Sequence, residues 1–85
     1  MDLDNFLKDC GWEIYEYDDS FGILLETSTH DIDFKLFKNG TVRYEAYNEP
    51  DDSSVILSKE QEYQIIYFMR DKIKESQLRK DNLNN

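Results

Sequence analysis

Apolar residues recur along this chain with two different periods, and the places where the period changes divide it into elements. Leu3, Phe6, Leu7 and Cys10 stand at i, i+3, i+4 and i+7, the spacing of one helical face, with Asp2 available as N-cap and Gly11 as a left-handed stop. A helical period returns near the far end. Ser58 followed three residues later by Gln61 forms a capping box, and Ile65, Ile66, Met69 and Ile73 then share one side of a cylinder. This second helix is expected from about Lys59 into the mid-70s, with the polar run SQLRKDNLNN fraying beyond it.

Between the helices the period drops to two. Trp12–Tyr17, Phe21–Thr27, Ile32–Phe37 and Thr41–Tyr47 have strand character, and their registers follow from keeping apolar side chains together. A two-residue Asn39-Gly40 turn would set Leu36 against Arg43. A three-residue Lys38-Asn39-Gly40 loop with Gly40 left-handed pairs Leu36 with Val42, Phe34 with Tyr44 and Ile32 with Ala46, and is preferred. A turn at Asp18-Asp19 pairs Trp12 with Leu25 and Ile14 with Ile23. One around Thr29-His30 pairs Leu25 with Phe34 and Ile23 with Leu36.

The expected inner face is therefore Trp12, Ile14, Phe21, Ile23, Leu25, Ile32, Phe34, Leu36, Val42, Tyr44 and Ala46. Both helices can cover it, which gives an α+β fold: a two-layer αββββα domain in which a four-stranded antiparallel meander carries an N-terminal and a C-terminal helix on one face. Residues 1–80 form that single domain and 81–85 a frayed polar tail. Asn48 to Ser54 reads as a loop, and Val55-Ile56-Leu57 as either a short fifth strand or the packed entry to the second helix.

The opposite sheet face then carries Glu13, Tyr15, Tyr17, Leu24, Glu26, Asp33, Lys35, Phe37, Arg43, Glu45 and Tyr47, with no helix left to cover it. Tyrosines among carboxylates have the composition of a protein interface, since Tyr brings much contact area at low entropic cost. The same composition also suits a solvated sheet face stabilised by cross-strand aromatic pairs.

Charge sharpens this picture. The chain has 19 acidic and 10 basic residues, a net charge of −9. Of these, 16 acids and 5 bases fall in residues 1–62, so the negative field belongs to the sheet and its loops. Direct nucleic-acid binding is disfavoured, because a sheet that stacks bases must also hold their phosphates. The single Cys10 excludes an intrachain disulfide, and the acidic start and lack of a long apolar run argue against a signal peptide or a membrane span, so the expectation is cytoplasmic. Phe, Tyr, Met, Ile, Asn and Lys make up 33 residues against 8 of Gly, Ala, Arg and Pro, a skew typical of AT-rich coding sequence in a low-GC bacterium or its phage.

Candidate chemistry is sparse. His30 beside Asp31 reads as an exposed turn histidine rather than part of a triad, and Cys10 falls on the buried side of its helix, where a thiol acts as a small apolar group. The Asp33-x-Lys35 step resembles the catalytic strand of restriction-type nucleases, which needs converging acids and a basic groove. Diagonal pairing of these charges with Arg43 and Glu45 accounts for it better. Glu49, Asp51 and Asp52 lack the spacing of a calcium loop. No cofactor, no metal and no enzymatic activity are expected.

In size, acidity and lack of catalytic residues the chain resembles phage anti-CRISPR and anti-restriction inhibitors, and the immunity proteins that neutralise nuclease toxins. The class implies a small inhibitor that occupies a basic, nucleic-acid-binding surface of a protein partner, with carboxylates standing in for phosphates. The residues expected to meet that partner are Glu13, Tyr15, Tyr17, Glu26, Asp33, Glu45 and Tyr47 on the sheet and Asp18, Asp19, Glu49, Asp51 and Asp52 at its edges. The alternative is a structural or regulatory protein that dimerises through the aromatic sheet face.

Overall fold

Strand alternation and helical spacing meet in one core. A computed structural model of the protein describes residues 2–83, and for residues 77–83 the backbone course alone. Helix α1 (Leu3–Asp9) is followed by strands β1 (Gly11–Glu16), β2 (Ser20–Glu26), β3 (His30–Phe37) and β4 (Val42–Asn48), and by helix α2 (Lys59–Leu83). The strands form one antiparallel sheet in the order β1-β2-β3-β4. This is the expected α+β meander with an N-terminal and a C-terminal helix. Leu3 and Phe6 of α1, Ile65 and Met69 of α2, and Ile23, Leu25, Ile32, Phe34 and Ala46 of the sheet are buried in a single cluster. Both helices thus lie on the inner side of the sheet.

Local chemistry starts and stops these elements. The Asp2 side chain accepts from Asn5 N–H at 3.3 Å and caps α1. The capping box of α2 forms in both directions: Gln61 N–H donates to Ser58 Oγ at 3.1 Å, and Ser58 N–H donates to Gln61 Oε1 at 2.9 Å. Gly11 is not a left-handed stop. Cys10 is extended, its N–H closes the last turn onto Phe6 O at 2.9 Å, and Gly11 is already the first residue of β1. Helix α2 also runs past the mid-70s to Leu83, because the Ser76-to-Leu83 stretch contains no Gly or Pro and several strong helix formers. Of the expected tail 81–85, Asn84 and Asn85 lie outside the described residues.

Two of the three hairpin registers are those expected from the sequence. Trp12 faces Leu25 and Ile14 faces Ile23 across the Asp18-Asp19 turn. Leu36 faces Val42, Phe34 faces Tyr44 and Ile32 faces Ala46 across Lys38-Asn39-Gly40, with Gly40 at φ +90°. The middle hairpin is shifted by two residues from expectation: Ile23 faces Phe34, Leu25 faces Ile32 and Phe21 faces Leu36. Its turn is Ser28-Thr29, closed by Thr27 N–H to His30 O at 3.0 Å, and Thr27 Oγ1 accepts from both Thr29 N–H and His30 N–H at 3.2 Å. The Thr27 hydroxyl holds the turn one step earlier than an apolar match alone would place it.

Val55 to Leu57 take the second of the two expected forms, the packed entry to α2, with an isolated bridge at Ser54 in place of a fifth strand. Ser54 bridges Tyr47, Val55 N–H donates to Ala46 O at 2.7 Å, and Leu57 is buried with its N–H on the Tyr44 hydroxyl at 2.9 Å. No helix of the described chain is long and apolar enough to cross a membrane.

Phe34 is fully buried at the centre of the sheet, so Phe34→Ala should lower the unfolding free energy by about 3–5 kcal/mol. Tyr67→Ala, on the exposed side of α2, should stay within about 0.5 kcal/mol. Urea denaturation monitored by Trp12 fluorescence checks both; equal effects would mean that the core is misassigned.

Candidate functional site

With its apolar residues turned inward, the sheet is forced to present the rest outward, and the registers arrange them in rows across the strands. At the end nearest the Ser28-Thr29 turn, Gly11, Glu26, Asp31 and Tyr47 form one row. The next row is Glu13, Leu24, Asp33 and Glu45, and the third is Tyr15, Gly22, Lys35 and Arg43. Glu26 therefore stands directly opposite Asp31, and Asp33 directly opposite Glu45. Like charges in directly opposed positions destabilise a sheet.

The expected relief by diagonal pairing does not occur. Among the described residues the ion pairs are Lys59 with Glu62 and Lys72 with Glu75, both on α2. The two cations of the outer face turn to aromatic rings instead: Lys35 Nζ lies 4.6 Å from the centre of the Tyr17 ring, and the Arg43 guanidinium 5.9 Å from that of Phe37. Gly22 gives the ring room: a Cβ there would approach Tyr17 Cε2 to 3.3 Å, and the ring would have to give by a few tenths of an ångström. The outer face is thereby split into an aromatic and basic half and a half whose carboxylates form no ion pair among the described residues.

Two shallow grooves mark the acidic half. One, of about 410 Å³, is lined by Gly11, Trp12, Glu13, Leu24 and Glu26. Another, of about 230 Å³, runs over Leu24 and Leu25 between Glu26, Asp31, Asp33, Glu45 and Tyr47. Leu24 supplies an apolar floor to both. The Tyr15 hydroxyl donates to Glu13, and that carboxylate pushes the phenol above its ordinary value.

The expected contact residues divide by position. Glu13, Tyr15, Glu26, Asp33, Glu45 and Tyr47 share the outer face, where Tyr17 joins them through its ring over Gly22. Glu49 extends the acidic end, since its N–H donates to Thr29 O at 2.8 Å and brings its carboxyl to that of Asp31. Asp51 accepts from Ser53 N–H at 3.1 Å and Ser53 Oγ at 2.9 Å, and Asp52 takes up a positive φ of 55°, so these two shape the loop. Asp18 and Asp19 sit at the opposite end of the sheet, beside the Lys38 turn through Lys38 N–H to Asp19 O at 3.0 Å.

Two features escaped sequence reasoning. Asp31 belongs to the acidic cluster, a placement that depends on the middle register. Tyr63 and Tyr67, 59% and 65% exposed, line up with Arg70 and Lys74 on the solvent side of α2. Their spacing at i, i+4, i+7 and i+11, off the Ile65-Met69 side, was the available signal.

His30 and Cys10 each face structural neighbours. The His30 ring stands edge-on to Phe6 at 6.1 Å with Nδ1 3.0 Å from Thr29 Oγ1, while the Cys10 thiol, its pKa raised by burial, points to Leu7 O at 3.6 Å. Among the described residues no three His, Cys, Asp or Glu side chains are grouped to hold a metal ion. No protein family, no curated protein and no solved structure matches the chain.

The Glu49 carboxyl is held above its ordinary value by the hydrogen bond and charge of Asp31, whereas that of Asp51 is held below by the Ser53 donors. Their signs are opposite. A raised folded-state pKa gives stability that is present below the ordinary carboxyl range and lost as the pH climbs through the folded value; a lowered one gives stability lost as the pH falls. Glu49→Gln should therefore gain in urea midpoint over the parent protein between about pH 4 and about pH 7. Asp51→Asn should lose on the parent below that interval, as the pH rises towards about 4, and run parallel to it above. A Glu49→Gln curve parallel to the parent above about pH 4, or an Asp51→Asn curve parallel to it below, would disprove the corresponding assignment.

Proposed function

We propose that this protein is a small, non-enzymatic inhibitor that occupies a basic, nucleic-acid-binding surface on a protein partner, acting in the cytoplasm of a bacterium as a phage or mobile-element anti-defence protein of the anti-CRISPR or anti-restriction type. One observation carries the reading: Glu13, Glu26, Asp31, Asp33 and Glu45 share a sheet face on which none of them forms an ion pair among the described residues. Opposed carboxylates cost stability in the free protein. A basic partner recovers that cost on binding, and long-range attraction speeds encounter. Two-residue steps along a strand space the rows about 6.7 Å apart, with strands about 4.8 Å apart, a density of negative charge that a phosphate-binding surface accepts. Leu24 and Tyr47 add apolar contact among the charges.

Binding of this kind is strongly salt-dependent. Tagged protein used to capture partners from a low-GC bacterial lysate should retain nucleic-acid-binding proteins at about 0.1 M salt and release them towards about 1 M. Double-stranded DNA should compete for the captured partner. The combined variant Glu13→Gln, Glu26→Gln, Asp33→Asn and Glu45→Gln should lower affinity on the order of tenfold or more at low salt. Capture that is indifferent to salt, to DNA and to these substitutions would refute the proposal.

A second reading, self-association, is favoured by the split of the outer face. A two-fold axis lying across the strands would set Lys35 and Arg43 of one copy over Asp33 and Glu45 of the other. Sedimentation equilibrium separates the two readings: a dimer that dissociates on Lys35→Glu with Arg43→Glu supports self-association, and a monomer at high concentration removes it.

A further inference from the structure

The sheet has two edges, and they are treated differently. Tyr17 N–H donates to Ser20 O at 2.9 Å, so the hydrogen-bonded pairs between β1 and β2 are Tyr17 with Ser20, Tyr15 with Gly22, Glu13 with Leu24 and Gly11 with Glu26. Trp12, Ile14 and Glu16 then aim their N–H and C=O groups away from the sheet, and no described residue bonds to them. On β4, by contrast, Ser53 to Val55 return along the edge and engage the Ala46 carbonyl at 2.7 Å and the Asn48 N–H at 2.8 Å.

An exposed edge invites another strand, and proteins blunt it with proline, a bulge, inward charge or a covering segment. The β1 edge has no proline, and its register with β2 is unbroken from Gly11 to Glu16. Its guard on the strand is negative charge, Glu13 and Glu16 with no base; the nearest cation, Lys72 of α2, lies 5.4 Å from the centre of the Trp12 ring on the inner face and is paired with Glu75. That guard is selective. A second copy of β1 would bring four carboxylates together, whereas a basic strand would be attracted. Beside the edge, the groove lined by Trp12, Glu13, Leu24 and Glu26 offers apolar walls and two carboxylates, the complement of a Lys or Arg side chain.

We propose that the open edge of β1 takes up an extended basic segment of the protein partner as an added strand, with lysines or arginines on the outer face beside Glu13 and Glu26 and aliphatic residues beside Trp12 and Ile14. This deepens the inhibitor reading and rests on it: the carboxylate face supplies the attraction, and the edge specifies an extended backbone.

The test uses the whole protein with two synthetic peptides of equal charge, one alternating Lys and Val, the other alternating Lys and Pro, which cannot donate at every second position. Amide exchange followed by NMR should show the Trp12, Ile14 and Glu16 N–H groups slowed at least tenfold, on the order of one equilibrium decade, by the Lys-Val peptide and unchanged by the Lys-Pro peptide. Glu16→Pro, which removes one outward N–H from an exposed position, should weaken the Lys-Val peptide, while Glu16→Gln should bind it more tightly than Glu16→Pro does. If both peptides bind equally without protecting the edge, the added strand is refuted while the electrostatic inhibitor reading stands. If the Lys-Val peptide fails to bind at all, the edge assignment is likewise refuted, and capture of basic partners from lysate decides the inhibitor reading separately.

Discussion

Ile23, Leu25, Ile32 and Phe34 are sealed between the sheet and its two helices, and their burial fixes the in-and-out parity of every strand. Side chains alternate with a period of two, so a slip of one residue in any hairpin would carry this set into water and bring Glu13, Asp33 or Glu45 into the core. Each fully buried side chain of this size contributes about 1.5–3 kcal/mol, whereas a cross-strand surface pair is worth a fraction of that. The apolar seam therefore decides the register, and the outer face has to accept whichever charges fall opposite each other. The facing carboxylates of Glu26 with Asp31 and Asp33 with Glu45 are a consequence of packing on the other side of the same strands.

Packing explains why the acids are opposed, but not why they remain unpaired. Lys35 and Arg43 are next to Asp33 and Glu45 along β3 and β4 and could reach them diagonally. The Tyr17 ring beneath its ammonium group draws Lys35 away from that option, and Phe37 draws Arg43 the same way. Gly22 leaves room for the Tyr17 ring, which would have to give by a few tenths of an ångström for a Cβ at that position.

What could be read from the sequence was set by which signals are independent of one another. The β3–β4 register was legible because Gly40 and the apolar match agreed, and the facing of Asp33 with Glu45 follows from it, although diagonal pairing was expected there. The β2–β3 register was not legible. A shift of two residues preserves parity, so Leu25 against Phe34 satisfies the apolar pattern as well as Leu25 against Ile32 does. What separates them is the Thr27 hydroxyl, a side-chain to backbone contact with little compositional signature. That error also hid Asp31, whose place opposite Glu26 exists only in the true register. Gly11 misled for the converse reason: a glycine after a helix suggests a left-handed cap, but the chain needs an extended residue to enter β1 directly.

The open edge and the acidic half of the face meet at Glu13, which is paired with Leu24 through its backbone while its side chain borders the groove that ends at β1. The coincidence bears on specificity. A carboxylate array alone attracts any basic surface, and a free strand edge alone attracts any extended chain, including a second copy of itself. Together they exclude each other's unwanted partners: charge rejects the acidic strand of another copy, and backbone pairing rejects a basic helix that cannot open. On the proposed reading a partner presents positive charge on an extended segment, a narrower requirement than either feature imposes by itself.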